Sequence, residues 1–383
     1  MATAAMGYGS QADAMDRYFR EGEARALALG NRGPLRLGAD GRLAPDIVEA
    51  YEGIGFYVFE GVIAPEELAE LETNYRELFE RLPSAPDSEV DRLGRPAAGR
   101  ECELGLVHWA KPLSDPLGGT SAGQGRHPLK MFEPDVPEGA PEWSISSILA
   151  PLYHCEAMLR LYGHPALLAA AATILGDDFT PFQEGIIVKL PGEGRIFPWH
   201  QDGTTHWGRP GWHMHSHGFN FMPQLYGSTA ANGVWVVPGT HKTGKADIRA
   251  LADRAGSERL DNAAPLICKP GDVVMTNRQA LHGSFANTSA DIRVTLNFGF
   301  LPRESVLGAG GRMHDGETAA KFDETWVARR AESIGYAIAA RRQRWPDEQH
   351  FAYAPHVAAG AAYVWDAAAR DVLRDYNRWD IRI

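Results

Sequence analysis

The chain has 383 residues, 44% of them hydrophobic and 23% charged, proportions of an ordinary globular protein that leave no case for disorder, collagen or coiled coil. Its 38 Lys and Arg against 49 Asp and Glu give a net charge of −11, a field that repels polyanions and argues against nucleic acid or an anionic membrane surface as the main partner. No run approaches the roughly 20 apolar residues of a membrane span, and the opening MATAAMGYGSQADAMDRYF has no basic segment followed by an apolar one, so a cytoplasmic protein is expected.

Residues 1–40 mix Ala, Gly and charge without a sustained period, which predicts a lightly structured arm ahead of a single domain over 41–383. Residues 51–59 (YEGIGFYVF) read as a helix end, a Gly turn and a strand. Pro65 then opens a helix on which Leu68, Leu71, Tyr75 and Leu78 recur at helical spacing. From 83 to 142 the abundance of Pro, Gly and Asp predicts long loops, in which Cys102 is expected, like Cys155 and Cys268, to be a buried small hydrophobe. A second helix is predicted over 165–175, stopped by Gly176.

Between 182 and 301 the texture changes. The short runs EGIIVKL, GFNFMPQLY, VWVV, APLICK, VVMT and IRVTLNFGF alternate with turn signals, the rhythm of an antiparallel sandwich or barrel. Helices are predicted again over 318–342, interrupted at Ser333-Ile334-Gly335, and over 359–376. The fold class is therefore an all-β core with flanking helices.

The chemistry gathers in this core. In Pro198-Trp199-His200-Gln201-Asp202-Gly203, residues at i and i+2 of a strand project from one face, so His200 and Asp202 can converge on one ion. His282, just after the strand VVMT, is a third candidate ligand. Two imidazoles and a carboxylate leave three octahedral positions open, which suits Fe(II) binding a bidentate co-substrate together with O₂; the set alone leaves tetrahedral zinc open as well. Arg293, with Thr295 on the same strand face, forms a fork for a carboxylate and favours the iron option. H-x-D, a distal His and then Arg is the pattern of the iron(II)/2-oxoglutarate dioxygenases.

More narrowly, the chain resembles the phytanoyl-CoA dioxygenase (PhyH) family from about 51 to 301: in GFYVFEGVIAPEELAEL, VKLPGEGRIFPWHQDG, ANGVWVVPGTHK, KPGDVVMTNRQALHGS and IRVTLNFGF. The resemblance implies a double-stranded β-helix, a cupin-like jelly roll. It implies His200, Asp202 and His282 as iron ligands, Arg293 as the anchor of the 2-oxoglutarate C5 carboxylate, and Lys130 in LKMFEP as a further co-substrate contact. Gln224, at strand spacing with Asn220 and Met222, is a candidate partner of the co-substrate or substrate. The implied activity is hydroxylation of a small organic substrate with release of succinate and CO₂, using Fe(II), 2-oxoglutarate and O₂. Two other readings are a cupin-type metal enzyme or binding module using His213, His215 and His217 (WHMHSH), and a non-catalytic jelly-roll binding domain. Substrate identity and oligomeric state are not written in these motifs.

Overall fold

The computed structural model describes residues 6–313 and 318–383. In chain order the strands of the core are β1 (Arg32–Gly33), β2 (Phe56–Phe59), β3 (Val107–Ala110), β4 (Ser144–Ile148), β5 (Thr180–Lys189), β6 (Phe197–His200), β7 (Phe219–Pro223), β8 (Trp235–Val237), β9 (Ala264–Pro265), β10 (Val273–Asn277), β11 (Leu281–Ser284) and β12 (Arg293–Leu301). A large sheet runs in the order β1-β2-β10-β7-β12-β5-β4-β3, and a smaller one in the order β6-β11-β8-β9. Pairing is antiparallel throughout both, except for β1 beside β2. This is a double-stranded β-helix.

Strand alternation explains the layering. On β12, Val294, Leu296, Phe298 and Phe300 turn to one side, joined by Phe219 and Phe221 of β7 and by Val273 and Met275 of β10. The helices Glu156–Tyr162, Pro165–Leu175 and Glu324–Arg344 cover that side and complete the largest apolar cluster. Residues between them in sequence, among them Arg293, Thr295 and Gln224, take the opposite face. Phe56, Val58, Met222, Val236, Leu266, Val274 and Ala280, drawn from both sheets, fill part of the interior with apolar packing. The remaining interior is polar, and the candidate site lies there.

The 1–40 segment is more ordered than its composition predicts. Residues 1–5 lie outside the described residues, but Ala12–Ala28 is a helix whose Met15, Tyr18 and Phe19 pack on Trp199, Trp235, Leu281 and Phe285 of the smaller sheet. Tyr18 stacks on Trp235 with ring centroids 4.4 Å apart. Burial of this short apolar stripe overrides a polar average composition.

The C-terminal helices also differ. Glu324–Arg344 begins later than predicted and passes unbroken through Ser333-Ile334-Gly335. Gly335 is there because the Tyr363 ring packs so closely that a Cβ would sit 2.4 Å from it. Residues 359–376 are not one helix: Gly360 at φ +62° follows the short helix Ala354–Ala358, and helix resumes only at Ala367–Leu373, capped by Asp366. No single helix among the described residues is long and apolar enough to cross a membrane.

Candidate metal centre

β6 and β11 pair so that His200 and His282 stand directly opposite each other, with ring centroids 4.1 Å apart. Asp202 follows the end of β6, held there by its backbone N–H, which donates to the Arg278 carbonyl at 2.7 Å. Gly203 then leaves the strand at φ +87°, where a Cβ would also meet the His217 ring at 2.5 Å, so the turn that aims the carboxylate needs glycine. His200 Nε2 lies 3.6 Å from Asp202 Oδ1 and His282 Nε2 lies 4.0 Å from Oδ2. The ligand atoms of all three fall within 4.8 Å of one another.

The protonation of the imidazoles follows from their neighbours. His200 Nδ1 is 2.8 Å from the Pro198 carbonyl and His282 Nδ1 is 2.9 Å from the Ala280 carbonyl. A carbonyl only accepts, so each Nδ1 carries a proton, and each Nε2 faces Asp202. Burial, reinforced by His282 and His127, holds His200 well below the usual imidazole range and therefore neutral. Burial pushes the Asp202 carboxyl upward, but His282, Arg278, Arg126 and His200 outweigh it and hold the group well below the usual carboxylate range. Two imidazoles, each tied back through Nδ1 with Nε2 facing an ionised carboxylate, fit a divalent cation.

Two arginines hold the carboxylate from the protein side. Arg126 Nη1 donates to Asp202 Oδ1 at 3.2 Å, and Arg278 Nε lies 3.7 Å from Oδ2. Sequence reasoning did not single out either. Arg278 is on the NRQ connection between β10 and β11, and Arg126 is in the loop just before Lys130, where no periodicity assigns a direction.

Arg293 is 2% exposed; its Nη1 donates to the Asn232 carbonyl at 2.8 Å, while its Nε has no hydrogen-bond partner. Burial pushes its pKa down to about 10, so it remains charged at neutral pH. Directly opposite on β5 stands Lys189, wholly buried, whose Nζ donates to the Phe285 carbonyl. Burial, with Arg293 and Arg195 adding to it, holds that amine well below its ordinary range. Among the described residues neither side chain has a carboxylate within ion-pair distance. A buried guanidinium without an anion is unfavourable until one arrives, so this pocket fits a carboxylate ligand.

The other predicted residues are placed as follows. Thr295 Oγ1 donates to Gln224 Oε1 at 3.1 Å, and Gln224 Nε2 donates to the Met222 carbonyl at 2.8 Å. The Lys130 ammonium donates to the Asp115 carbonyl and lies 2.7 Å from Glu133, while Arg126 is the residue of that loop that reaches Asp202. His213, His215 and His217 lie on turns and do not converge as the cupin reading requires. His213 faces Glu304 at 3.4 Å, His215 faces Glu52 at 3.3 Å, and the His217 ring packs on Trp207 at 4.7 Å. A second group, Glu101, Cys102 and His154, also lies within 4.8 Å, with Glu101 exposed; Cys102 is thus half-buried beside His154, not the fully buried hydrophobe expected.

The family model described as phytanoyl-CoA dioxygenase (PhyH) matches residues 51–295. No curated protein sequence matches the chain significantly. Among solved structures, EctD from S. alaskensis with 2-oxoglutarate and 5-hydroxyectoine is similar at 19% identity over 71% of this chain and 81% of that one, with a TM-score of 0.49. The non-heme alpha ketoglutarate dependent epimerase SnoN from nogalamycin biosynthesis is similar at 14% identity over 68% and 79%, with a TM-score of 0.43. The carbocyclase SnoK from the same biosynthesis is similar at 16% identity over 69% and 86%, with a TM-score of 0.42.

Proposed function

The chain belongs to the phytanoyl-CoA dioxygenase family, and from that premise we propose that it hydroxylates an unactivated C–H bond of a small organic substrate, with His200, Asp202 and His282 as the iron ligands. It is a non-haem oxygenase that depends on Fe(II) and 2-oxoglutarate. The bound iron, with 2-oxoglutarate and O₂, supplies an oxidant for the C–H bond while the keto acid is decarboxylated to succinate. The protein's residues do the positioning. His200, Asp202 and His282 would hold the metal, and three protein ligands would leave room on it for small ligands. Arg293 takes the distal carboxylate of 2-oxoglutarate in a charge-assisted bond, with Lys189 opposite it on β5. Thr295 and Gln224, bonded to each other, form the wall next to this anchor. Lys130, committed to Glu133, has no direct role in this reading.

One observation carries the proposal: a convergent His-Asp-His set stands in the same interior as a buried guanidinium that lacks an anion. A purely structural network would not leave that guanidinium uncompensated. The test is turnover under ¹⁸O₂ with Fe(II) and 2-oxoglutarate across candidate substrates. Hydroxylation predicts labelled succinate together with a product that gains one labelled oxygen. Labelled succinate with a rearranged or desaturated product lacking new oxygen would overturn hydroxylation, and absence of succinate would overturn the oxygenase chemistry.

A further inference from the structure

A cavity of about 910 Å³ is lined by Arg126, Arg278, Phe182, Gln183, Gly203 and Thr204, and both arginines also face the Asp202 carboxylate. Among the described residues, no aspartate or glutamate side chain lines it. This contrasts with the chain as a whole, whose net charge is −11. Arg278 is 2% exposed, stacks its guanidinium on the Phe182 ring at 3.6 Å, and spends Nη1 on the His217 carbonyl. Its Nε has no hydrogen-bond partner, and the nearest carboxylate is that of Asp202, which it shares with Arg126.

That shared carboxylate is the one the reading above gives to the metal. Resting on that reading, the charges of the loaded centre can be followed. Asp202 and the two carboxylates of 2-oxoglutarate balance the ferrous ion and Arg293. Nothing among the described residues is then left to balance Arg126 and Arg278. A buried guanidinium whose counter-ion has been taken by a metal favours an incoming anion over a neutral molecule. We propose that the substrate carries an anionic group, a carboxylate or a phosphate monoester, which Arg126 and Arg278 bind in the 910 Å³ cavity, so that these two arginines select the substrate class and orient it toward the metal.

The proposal is tested on the protein loaded with Mn(II) and 2-oxoglutarate, by the relaxation of the methyl protons of two probes near the paramagnetic ion. Methanesulfonate is a tetrahedral monoanion and a poor metal ligand, and dimethyl sulfone is its neutral counterpart. The expected result is strong relaxation of methanesulfonate and little of dimethyl sulfone, with affinity for the anion reduced by about fivefold or more in Arg126→Gln and restored in Arg126→Lys. Competition by acetate and by methyl phosphate then identifies which anion the cavity prefers. Equal relaxation of the two probes, or none of methanesulfonate, would overturn the proposal even if Arg126→Gln failed to load metal. Failure of the parent protein to take up Mn(II) and 2-oxoglutarate would instead overturn the assignment of the centre itself.

Discussion

Arg293 and Lys189 stand opposite each other on paired strands, both buried, and the Arg293 guanidinium has no carboxylate in reach. A charge-assisted bond to a carboxylate contributes about 1.5–3 kcal/mol. Arg293→Ala should therefore raise the 2-oxoglutarate concentration needed for half-saturation by roughly tenfold or more, with metal affinity nearly unchanged, because no metal ligand is touched. Titration calorimetry of the two ligands separately checks this, and equal loss of both would count against the anchor. At this scale the converging side chains were legible. His200 and Asp202 share a strand parity, and His282 and Arg293 follow on successive strands, one in each sheet, at spacings the motif fixes. Arg126 and Arg278 were not, since loop residues have no period from which a direction can be read.

The pairing of β6 with β11 sets the distance between the two imidazoles. Gly283 lies between His282 and Ser284, and a Cβ there would come 3.0 Å from the Phe197 carbonyl oxygen and 3.1 Å from the Trp199 amide nitrogen. Both are backbone atoms of β6, which cannot swing aside as a flexible side chain would. Gly283→Ala should therefore weaken metal binding measurably while leaving all three ligands in the sequence, and metal affinity as tight as the parent's would show that the strand spacing is not what holds the imidazoles together. The strands were largely readable because their alternation has a physical cause in two opposed faces. The helix over Ala12–Ala28 and the unbroken course of Glu324–Arg344 were not. In both, a contact distant in sequence, with Trp235 in one case and Tyr363 in the other, decides what local composition cannot.

For the molecule as a whole, several half-buried histidines are kept neutral away from the candidate centre. Burial pushes His164 down to about 3, and His154 and His356 to about 4. The unfolded chain binds protons at these positions below about pH 6.5 and the native chain does not. Stability from these groups is therefore complete above about pH 6.5 and is lost progressively as the pH falls toward 4. The expected outcome is a lower Tm at pH 5 than at pH 7, partly relieved by His164→Gln; a Tm that is flat across this range would contradict the assignment of these imidazoles as neutral. The buried group of Arg330 with Glu184 and Asp380 joins β5 to the C-terminal segment in the same interior layer, a link that no local pattern in the sequence announces.

The central claim is that residues far apart in the chain grip a single ferrous ion, and anaerobic titration with Fe(II) in the presence of 2-oxoglutarate addresses it most directly. One iron per chain should bind and give a weak visible charge-transfer band that Asp202→Ala and His282→Ala abolish and His215→Ala retains. A band that survives the first two substitutions and disappears with the third would contradict it.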